Sequence, residues 1–437
     1  MKKINYFKLI AKENFQIDSS IGIYPVCAFI QNSGLYEAIR KAAGFSKGKS
    51  GTKQTNLIIA SILAIIDGVT NIEQMPSFLE KNKRFAKELG INKIPSKSTI
   101  YKLFERVNKD NRFVKKLKAN MQNWLINNYI CHKKGIMADI DATFMNTDKE
   151  IGTINYKGEK SLSALLMHIG NEKLIWDFEI RDGSTHAGYG INKMVENFLN
   201  KTADLEKQRT IRSDSAGYNG KLINICEKHS SFFIIKVAKH CDFTQMQYIN
   251  KFETYKDKDG KAIEIRNFVH TMNNTKPFRI VAYKYEIAGE LFSEEGYIAT
   301  NIENKNGYEI NLIYRSRATQ EQAIEELKNH LAFNYVPSNN MDINNMFYAI
   351  CIVGYNVISL LEFLIREKGI KIDYEITKRN IKANTFRYYF IHLAGKIVKT
   401  ARRIYIYITK LEEKWLKVLE SFWNSCYGFG QYYPIKT

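Results

Sequence analysis

The chain has 437 residues, enough for two or three domains with a sizeable core. Lys and Arg number 65 against 45 Asp and Glu, so the formal net charge is +20. This excess favours a nucleic-acid partner over an anionic small molecule, with a ribosome-associated or membrane-surface protein as the alternatives on charge alone. The six cysteines are scattered without a CxxC pair, which argues against a zinc module or a disulfide framework and predicts a reducing cytoplasm.

The N-terminal part is predicted to be mainly helical. Residues 1–30 alternate weakly between apolar and polar and predict strands or an extended arm, whereas residues 35–109 have helical spacing. The run IPSKSTIYKLFERV places a Pro–Ser start before an amphipathic helix. The polar side of this helix contains Lys97, Lys102 and Arg106. Two interpretations of residues 1–130 stay open, a helical DNA-binding region of helix-turn-helix style and a plain helical cap.

The middle of the chain is predicted to be an α/β core with an insertion. Residues 131–242 contain the strand runs GIMADIDATF, ALLMHIG and LIWDFEIRDG, and then helices alternating with the strands RTIRSDSAG and SFFIIKV. This order predicts a mixed sheet. Residues 243–312 return to strand patterns, of which EINLIY is the last, and predict a β-rich insertion. Residues 313–370 are then the second part of the core, beginning with a helix at Tyr314.

One apolar stretch in the second part of the core has to be compared with a membrane span. From Ile343 to Leu361 there is no charged residue, and this length approaches that of a spanning helix. Several Asn, Tyr and Ser residues dilute the stretch, and Glu362 ends it. A buried core helix is therefore the better interpretation, and no membrane association is expected.

The C-terminal region, residues 371–437, is predicted to be helical and basic. Four bases recur there at helical spacing: Lys396, Lys399, Arg402 and Arg403. They form either a solvated helix face or a face that follows the phosphates of DNA.

Two aspartates stand in an otherwise apolar strand, in the run GIMADIDATF. Strand alternation places Asp139 and Asp141 on one face, where carboxylates are costly unless they bind a cation or pair with bases. Asp214 lies where the predicted strand RTIRSDSAG ends, and α/β proteins keep their chemistry at such strand ends. Taken singly, each aspartate also fits a turn or a cap.

A predicted helix around residue 320 contains a carboxylate between two bases. At about 100° per residue, Arg317, Glu321 and Lys328 fall within about 60° of one another on one helical face. The ordinary interpretation is a solvated face with a salt-bridge ladder. Together with the strand aspartates, the pattern also suits three carboxylates that hold two divalent cations. Oxygen ligands favour Mg²⁺, with Mn²⁺ as a substitute.

The spacing Tyr–x2–Arg–x3–Glu–x6–Lys over residues 314–328 resembles the signature of a large group of bacterial insertion-sequence DDE transposases. DIDAT around Asp141 and RSDSAGY around Asp214 resemble the first and second aspartate motifs of the same group. The runs RDGSTHAG and AGKIVKTARRIYI resemble the insertion-sequence type numbered 1380. The resemblance extends from about residue 30 onward.

This resemblance implies a ribonuclease-H-like catalytic core with a β-strand insertion, flanked by helical N- and C-terminal regions. It implies that the metal ligands are Asp141, Asp214 and Glu321, with Asp139 as the alternative for the first position. The two ions implied are Mg²⁺, or Mn²⁺ in its place.

The same resemblance implies residues that contact DNA. Phosphates near the cleaved bond would be contacted by Tyr314, Arg317 and Lys328. In some relatives a flipped base stacks on an aromatic residue during excision. The candidates for that role, for which core packing is the alternative, are Trp176, Tyr218 and Trp415.

The sequence therefore predicts a DNA transposase that cleaves the ends of its own element and transfers the 3′-hydroxyl strand end into target DNA. We expect double-stranded DNA as the partner, a homodimer that bridges two ends, and a bacterial cytoplasmic location. The alternatives are a ribonuclease-H-like nuclease without strand transfer and a DNA-binding protein descended from a transposase. The presence of all three acidic positions argues against the last.

Overall fold

The computed structural model describes residues 7–11, 20–44, 53–238, 241, 243, 252–256, 262–286, 293–367, 382–399, 404–408 and 413–432. Across these ranges the protein is a mixed α/β structure with a ten-stranded sheet, a three-stranded sheet and surrounding helices. The mixed α/β class predicted from the sequence is confirmed.

The N-terminal part is a helical layer that follows a short strand, β1 (Phe7–Ala11). Its helices are α1 (Ile23–Asn32), α2 (Leu35–Ala43), α3 (Gln54–Asp67), α4 (Met75–Lys81), α5 (Lys83–Glu88), α6 (Lys97–Val107) and α7 (Arg112–Asn128). The expectation of strands over residues 1–30 is wrong for α1. The first eight residues of this helix, 23–30, are a continuous buried run, and such a run has no periodicity that separates helix from strand.

Helix α6 begins where the sequence predicts. The hydroxyl of Ser96 accepts a hydrogen bond from the Thr99 amide, which caps the first turn. The apolar face packs toward the C-terminal half of the chain, and the face with Lys97, Lys102 and Arg106 is exposed. An exposed basic face fits both interpretations of this region.

The main sheet begins with an antiparallel meander of β2 (Gly135–Asn146), β4 (Lys160–Ile169) and β5 (Leu174–Asp182). A short strand, β3 (Thr153–Ile154), pairs with the first residues of β4. Two further strands, β6 (Gln208–Ser213) and β7 (Phe232–Lys236), run parallel to β2. Helix α8 (Ile191–Lys201) lies between β5 and β6, and helix α9 (Gly220–Lys228) lies between β6 and β7. The lateral order β5–β4–β2–β6–β7 puts β2 at the centre.

The predicted β-rich insertion continues this sheet. Its strands are β8 (Glu253–Lys256), β9 (Ala262–His270), β10 (Phe278–Glu286) and β11 (Ser293–Thr300). They are antiparallel, and β11 pairs with β7, so the order continues as β7–β11–β10–β9–β8.

The run EINLIY is helical, and its prediction as a strand is wrong. It belongs to α10 (Gly307–Arg315), which starts with a capping box. The Asn306 side chain accepts from the Glu309 amide, and the Glu309 carboxylate accepts from the Asn306 amide, both at 2.9 Å. Tyr314 therefore lies at the end of α10. The chain turns at Ser316 and continues as α11 (Ala318–His330), so the single helix predicted from Tyr314 to Lys328 is two helices.

The C-terminal region is only partly helical. After α12 (Met341–Glu367) come α13 (Ala383–Phe386), a π-helical turn (Arg387–Ile391), β12 (Gly395–Lys399), β13 (Ile404–Ile408) and α14 (Glu413–Tyr432). Strand β13 pairs antiparallel with β12 and parallel with β1, which forms the second sheet.

The predicted helical stripe of bases in this region is wrong. Lys396 and Lys399 lie in β12, and Arg402 and Arg403 lie outside the described residues. The surrounding run is rich in Ile, Val and Tyr, which favour strands. Its pairing with the distant β1 is invisible to local periodicity.

Helix α12 contains the apolar stretch that was compared with a membrane span. It is long and apolar enough to cross a bilayer, but its most apolar 18-residue window is completely buried inside the protein. Its side chains join the N-terminal helices and the main sheet in one hydrophobic core. The prediction of a buried core helix is confirmed.

The last third of helix α12 contains a buried carboxyl group, which leads to a test of stability. Glu362 is 7% exposed and lines a cavity of about 460 Å³ together with Glu326 and Arg366. Burial raises the pKa of Glu362 well above its usual range, the Glu326 charge raises it further, and Arg366 opposes this shift. Because the folded state holds this proton more tightly than the unfolded state, the carboxyl destabilises the fold increasingly as pH rises above about 4.5.

We therefore expect Glu362→Gln to raise the melting temperature at pH 8 by on the order of 2 °C, and by less at pH 5. The measurement is thermal unfolding followed by circular dichroism at both pH values. Glu420→Gln, an exposed position on α14, is the control and should change neither value. A gain for Glu362→Gln that is larger at pH 5 than at pH 8 contradicts the prediction.

Candidate active site

The parallel pairing of β2 with β6 aligns two pairs of charged residues on one face of the sheet. Asp139 is in register with Arg212, and Ile140 with Ser213, so Asp141 and Asp214 come next on the two strands. Neighbouring strands lie about 4.8 Å apart, and residues two apart on a strand share a face. The first pair thus joins opposite charges, and the second sets two carboxylates side by side where β6 ends.

Asp139 belongs to a buried ion cluster with Arg212 and Lys173. Arg212 donates from Nε to Oδ1 at 2.5 Å and from Nη2 to Oδ2 at 2.8 Å, and Lys173 Nζ donates to Oδ2 at 2.5 Å. Burial raises the pKa of Asp139, but the bonds and charges of the two bases outweigh this and lower the pKa overall. Both oxygens of this fully buried carboxylate are therefore taken by bases.

Arg212 also connects the sheet to the junction between α10 and α11. Its Nη1 donates to the Ser316 hydroxyl at 2.6 Å and to the Ile313 carbonyl. The two helices that contain Tyr314 and Glu321 are thus anchored to the same side chain that neutralises Asp139.

Asp141 is held by an ion pair with Arg317, the residue that precedes the first turn of α11. Arg317 Nη2 lies 2.8 Å from the Asp141 Oδ2 and donates to the Ile140 carbonyl at 3.2 Å. Burial raises the pKa of Asp141; Arg317 opposes this, and the charges of Asp214 and Glu321 raise the pKa further. The net shift is upward, so one arginine does not compensate for the burial and for the two neighbouring carboxylates.

The other two carboxylates, those of Asp214 and Glu321, are accessible to solvent. The Asp214 Oδ1 accepts from the Ala216 amide at 3.1 Å, which turns the chain at the end of β6, and this side chain is half-buried. Glu321 is exposed in the first turn of α11. Both are near enough to shift the pKa of Asp141, but in the described part of the chain no three acidic, His or Cys side chains are close enough together to hold a metal ion.

The donor set nevertheless fits a hard cation in its chemistry. All three side chains offer carboxylate oxygens, which Mg²⁺ and Mn²⁺ prefer. Three charged side chains shift the pKa of Asp141. Arg317 lowers it, whereas Asp214 and Glu321 raise it. A bound cation would remove the repulsion between like charges that the fold has placed together.

Helix α11 lies along β2 with a base at each end. Arg317 contacts β2 at Ile140 and Asp141, whereas Lys328 Nζ donates to the Phe144 carbonyl at 2.8 Å. Burial lowers the pKa of Lys328, the Lys157 charge adds to this, and Glu159 opposes it. Glu321 lies between these two anchors.

Tyr314 completes the group of residues that the sequence placed together. It is half-buried at the end of α10, and burial raises the pKa of its hydroxyl to about 12. The Arg317 charge opposes this shift, and the charges of Asp214, Asp141 and Glu321 add to it, so Tyr314 lies within electrostatic range of the three carboxylates. The structure thus brings together Tyr314, Arg317 and the three predicted ligands, with Lys328 further along β2.

The three aromatic residues considered for base stacking differ in their exposure and packing. Trp176 is 1% exposed and packs edge-on against Phe198, so it is a core residue. Tyr218 is half-buried, and burial raises the pKa of its hydroxyl to about 12. Trp415 stacks on Tyr389 with the ring centroids 4.8 Å apart. Trp176 therefore cannot meet a base without disruption of the core.

Sequence analysis did not single out Arg212, Lys173 or Gln320. Gln320 Nε2 lies 3.1 Å from His168 Nδ1, which joins α11 to β4 beneath the site, and burial above all lowers the pKa of His168 to about 3. A signal for Arg212 was present, since it precedes Asp214 by two residues as Asp139 precedes Asp141. Only the pairing of β2 with β6 shows that Arg212 lies next to Asp139 and that Asp214 lies next to Asp141.

The fold and the site define an α/β protein whose acidic side chains gather where parallel strands end. Comparison with known families goes further. Residues 15–414, most of the chain, match the family described as "Transposase DDE domain group 1". The chain therefore belongs to the DDE transposase family. No curated protein matches it.

Among solved structures, the chain is similar to one described as "Cryo-EM structure of piggyBac transposase synaptic complex with hairpin DNA (SNHP)". The TM-score is 0.41 and the sequence identity 12%, with 95% of this chain and 73% of that chain covered. We draw nothing further from a likeness at this level.

The ion cluster beneath the site should be essential for folding. We expect Arg212→Met to lower the free energy of unfolding by about 3 kcal/mol, because it leaves the buried Asp139 with Lys173 as its remaining base. Equilibrium urea unfolding is the measurement. Arg209→Met removes a base from the same strand that donates to the Leu199 and His229 carbonyls. This control should cost about 1 kcal/mol.

A second variant tests the cause of that loss. Arg212→Met combined with Asp139→Leu and Lys173→Met removes all three buried charges and should recover part of the stability lost in Arg212→Met. A triple variant that is less stable than Arg212→Met alone would show that imperfectly paired buried charge is not the source of the loss.

Proposed function

We propose that the protein is a DNA transposase that cleaves the ends of a mobile element in a metal-dependent reaction and transfers the freed 3′-hydroxyl strand end into target DNA. The observation that carries this is the placement of Asp141 and Asp214 side by side, with Glu321 within electrostatic range, in a chain of the DDE transposase family. The ribonuclease-H-like core is supported by the meander followed by two strands parallel to β2.

The proposed ligands of two Mg²⁺ ions, or of Mn²⁺ in their place, are Asp141, Asp214 and Glu321. We choose Asp141 over Asp139 because both Asp139 oxygens are engaged by bases in a fully buried place. When bound, two such ions activate the attacking hydroxyl and stabilise the leaving oxygen of an in-line displacement. Glu321 is preferred to its neighbour Glu326, whose carboxylate accepts from the Ala383 amide on the far side of α11.

The chain's own cations orient the DNA in this proposal. Arg317 holds Asp141 in place, and its side chain is 7% exposed in the free protein. In this proposal a phosphate reaches its guanidinium and is bound through two donors. Tyr314 lies within electrostatic range of the carboxylates, and Lys328 provides a positive charge further along β2. In strand transfer the 3′-oxygen forms a bond to a target phosphorus, and the bond from that phosphorus to its own 3′-oxygen breaks.

Several finer features belong to the same proposal. The partner is double-stranded DNA, both the inverted-repeat ends of the element and the target, which the net charge of +20 favours. The protein acts as a homodimer that bridges two ends, with residues 1–130 as the DNA-binding region. We also propose that it is a bacterial insertion-sequence transposase of the type numbered 1380, and that Lys396, Lys399, Arg402 and Arg403 follow DNA phosphates.

The ligand assignment can be tested by nicking of a labelled DNA end taken from the sequence that flanks the reading frame. We expect Asp141→Asn, Asp214→Asn and Glu321→Gln each to reduce nicking in Mg²⁺ roughly a thousandfold, and EDTA to abolish it. Glu325→Gln is the matched control, since Glu325 is exposed on the same helix one turn after Glu321. It should retain nearly full activity.

The outcomes separate the alternatives. Loss in Glu325→Gln with full activity in Glu321→Gln would make Glu325 the third ligand. Nicked products without joined products in the wild-type protein would favour a nuclease without strand transfer. Binding of the DNA end without nicking, under all metal conditions, would favour a DNA-binding protein that has lost its chemistry.

A further inference from the structure

Helices α11 and α12 enclose a cavity that the proposed DNA chemistry does not use. Its volume is about 460 Å³, within the range of roughly 300–1,000 Å³ that small-molecule sites occupy. From α11 the lining includes Ala323 and Glu326, and Glu326 lies about 140° around the helix from Glu321. The cavity is therefore on a different side of α11 from the carboxylate proposed as a metal ligand. From α12 it is lined by residues that share one helical face: Tyr355, Ser359, Glu362 and Arg366.

One carboxyl group of this cavity is buried with an oxygen that lacks a donor. Glu362 is 7% exposed, and its Oε1 accepts no hydrogen bond from the described residues. A buried oxygen that has left water without gaining a donor destabilises the folded protein, whether the carboxyl is charged or neutral. A ligand that donates a hydrogen bond to Glu362 would remove this cost, so the cavity favours a molecule with a polar N–H or O–H group.

The buried bases that line the cavity are already engaged with carboxylates. Lys173 Nζ donates to the Asp139 Oδ2 at 2.5 Å in the buried ion cluster. Arg366 is shared, because its Nη2 lies 3.8 Å from the Glu172 Oε1 and its charge also acts on Glu362. One guanidinium thus balances two carboxyl groups, and these two bases leave no surplus of positive charge for an anionic ligand.

A second carboxyl group adds to the negative charge around the cavity. Glu326 is within electrostatic range of Glu362, and its carboxylate accepts from the Ala383 amide at 2.7 Å. Lys382, which is exposed, acts on Glu326 through its charge. Burial lowers the pKa of His330 from a value that is ordinarily near 6.5, so this imidazole adds no positive charge at pH 8. The lining therefore favours a cationic ligand.

We propose that this cavity binds a small organic cation, whose ammonium group donates to the Glu362 Oε1 and whose carbon chain packs against Ala323 and Tyr355. The volume far exceeds that of a single ion, and among the described residues no group of three or more acidic, His or Cys side chains could hold a metal ion here. An ammonium group supplies both the charge and the hydrogen bond that Glu362 lacks. Because the bound cation contacts both helices, it holds α11, the helix that contains Glu321, against α12.

Thermal unfolding of the full chain at pH 8, with n-butylammonium chloride as the probe, tests this inference. Like the lysine side chain, this amine is protonated at pH 8. At about ten times its dissociation constant we expect the melting temperature to rise by on the order of 2 °C. Sodium chloride at the same ionic strength and the neutral analogue 1-butanol should leave it unchanged. An equal rise with sodium chloride would indicate a general salt effect, and an equal rise with 1-butanol an uncharged apolar site; either result overturns the proposal.

Variants of the two carboxyl groups identify the residue that binds the cation. In isothermal titration calorimetry we expect Glu362→Gln, which keeps the shape of the side chain, to weaken n-butylammonium binding by about tenfold or more. Glu326→Gln should weaken it by a smaller factor, because Glu326 acts on the ligand through its charge. Glu420→Gln, at an exposed position on α14, is the control and should bind like the wild type. Unchanged affinity in Glu362→Gln overturns the proposal. Since this variant is expected to be more stable than the wild type, misfolding does not explain a loss of binding.

Hydrogen exchange determines where the cation binds. At saturation, n-butylammonium should slow the exchange of backbone amides in α11 and α12 of the wild-type protein, and should not do so in Glu362→Gln. Protection confined to other elements would place the probe elsewhere and overturn the proposal, as would the absence of binding to the wild-type protein. None of these measurements uses DNA, so a failure here leaves the proposed transposase reaction unaffected.

Discussion

The buried ion cluster of Asp139, Arg212 and Lys173 is the constraint on which the site depends. Removing these charges from water is costly, and the cost is offset only if each donor and acceptor keeps its partner. Arg212 can satisfy Asp139 only while β2 and β6 stay in register, and it satisfies Ser316 only while the α10–α11 junction rests on the sheet. One side chain thus determines where the strand aspartates and the helix glutamate stand relative to one another.

Above that cluster the fold places like charges together. Asp141 lies two residues after Asp139 on β2, and Asp214 lies two residues after Arg212 on β6. Glu321 on α11 is within electrostatic range of Asp141. Nothing in folding favours three carboxylates at one edge, and the pKa of Asp141 is raised first by burial and then by the charges of Asp214 and Glu321. Like charges placed together above a buried cluster whose own charges are paired usually indicate a functional site. At such a site the arrangement lowers stability but allows a ligand to bind.

The sequence predicted what local patterns determine. Alternation identified β2 and β6, and motif spacing selected Asp141, Asp214 and Glu321, which lie within electrostatic range of one another. EINLIY was misassigned because the capping box at Asn306 overrides a strand-like composition. Strand β12 was missed because it depends on pairing with β13, which in turn pairs with β1 from the other end of the chain. Arg212 was not predicted because its partner, Asp139, lies on a different strand.

Under the proposed function, the bases at the two ends of α11 would meet different parts of a bound DNA strand. Arg317 contacts β2 at Ile140 and Lys328 contacts it at Phe144, four residues apart, or about 13 Å. Each strand of duplex DNA has one phosphate per about 3.4 Å of helix axis, so this distance corresponds to roughly four nucleotides for a strand that runs parallel to β2. A single phosphate therefore cannot contact both bases. Under the proposed function, Arg317 beside Asp141 suits the phosphate that reacts, whereas Lys328 suits a phosphate further along the same strand.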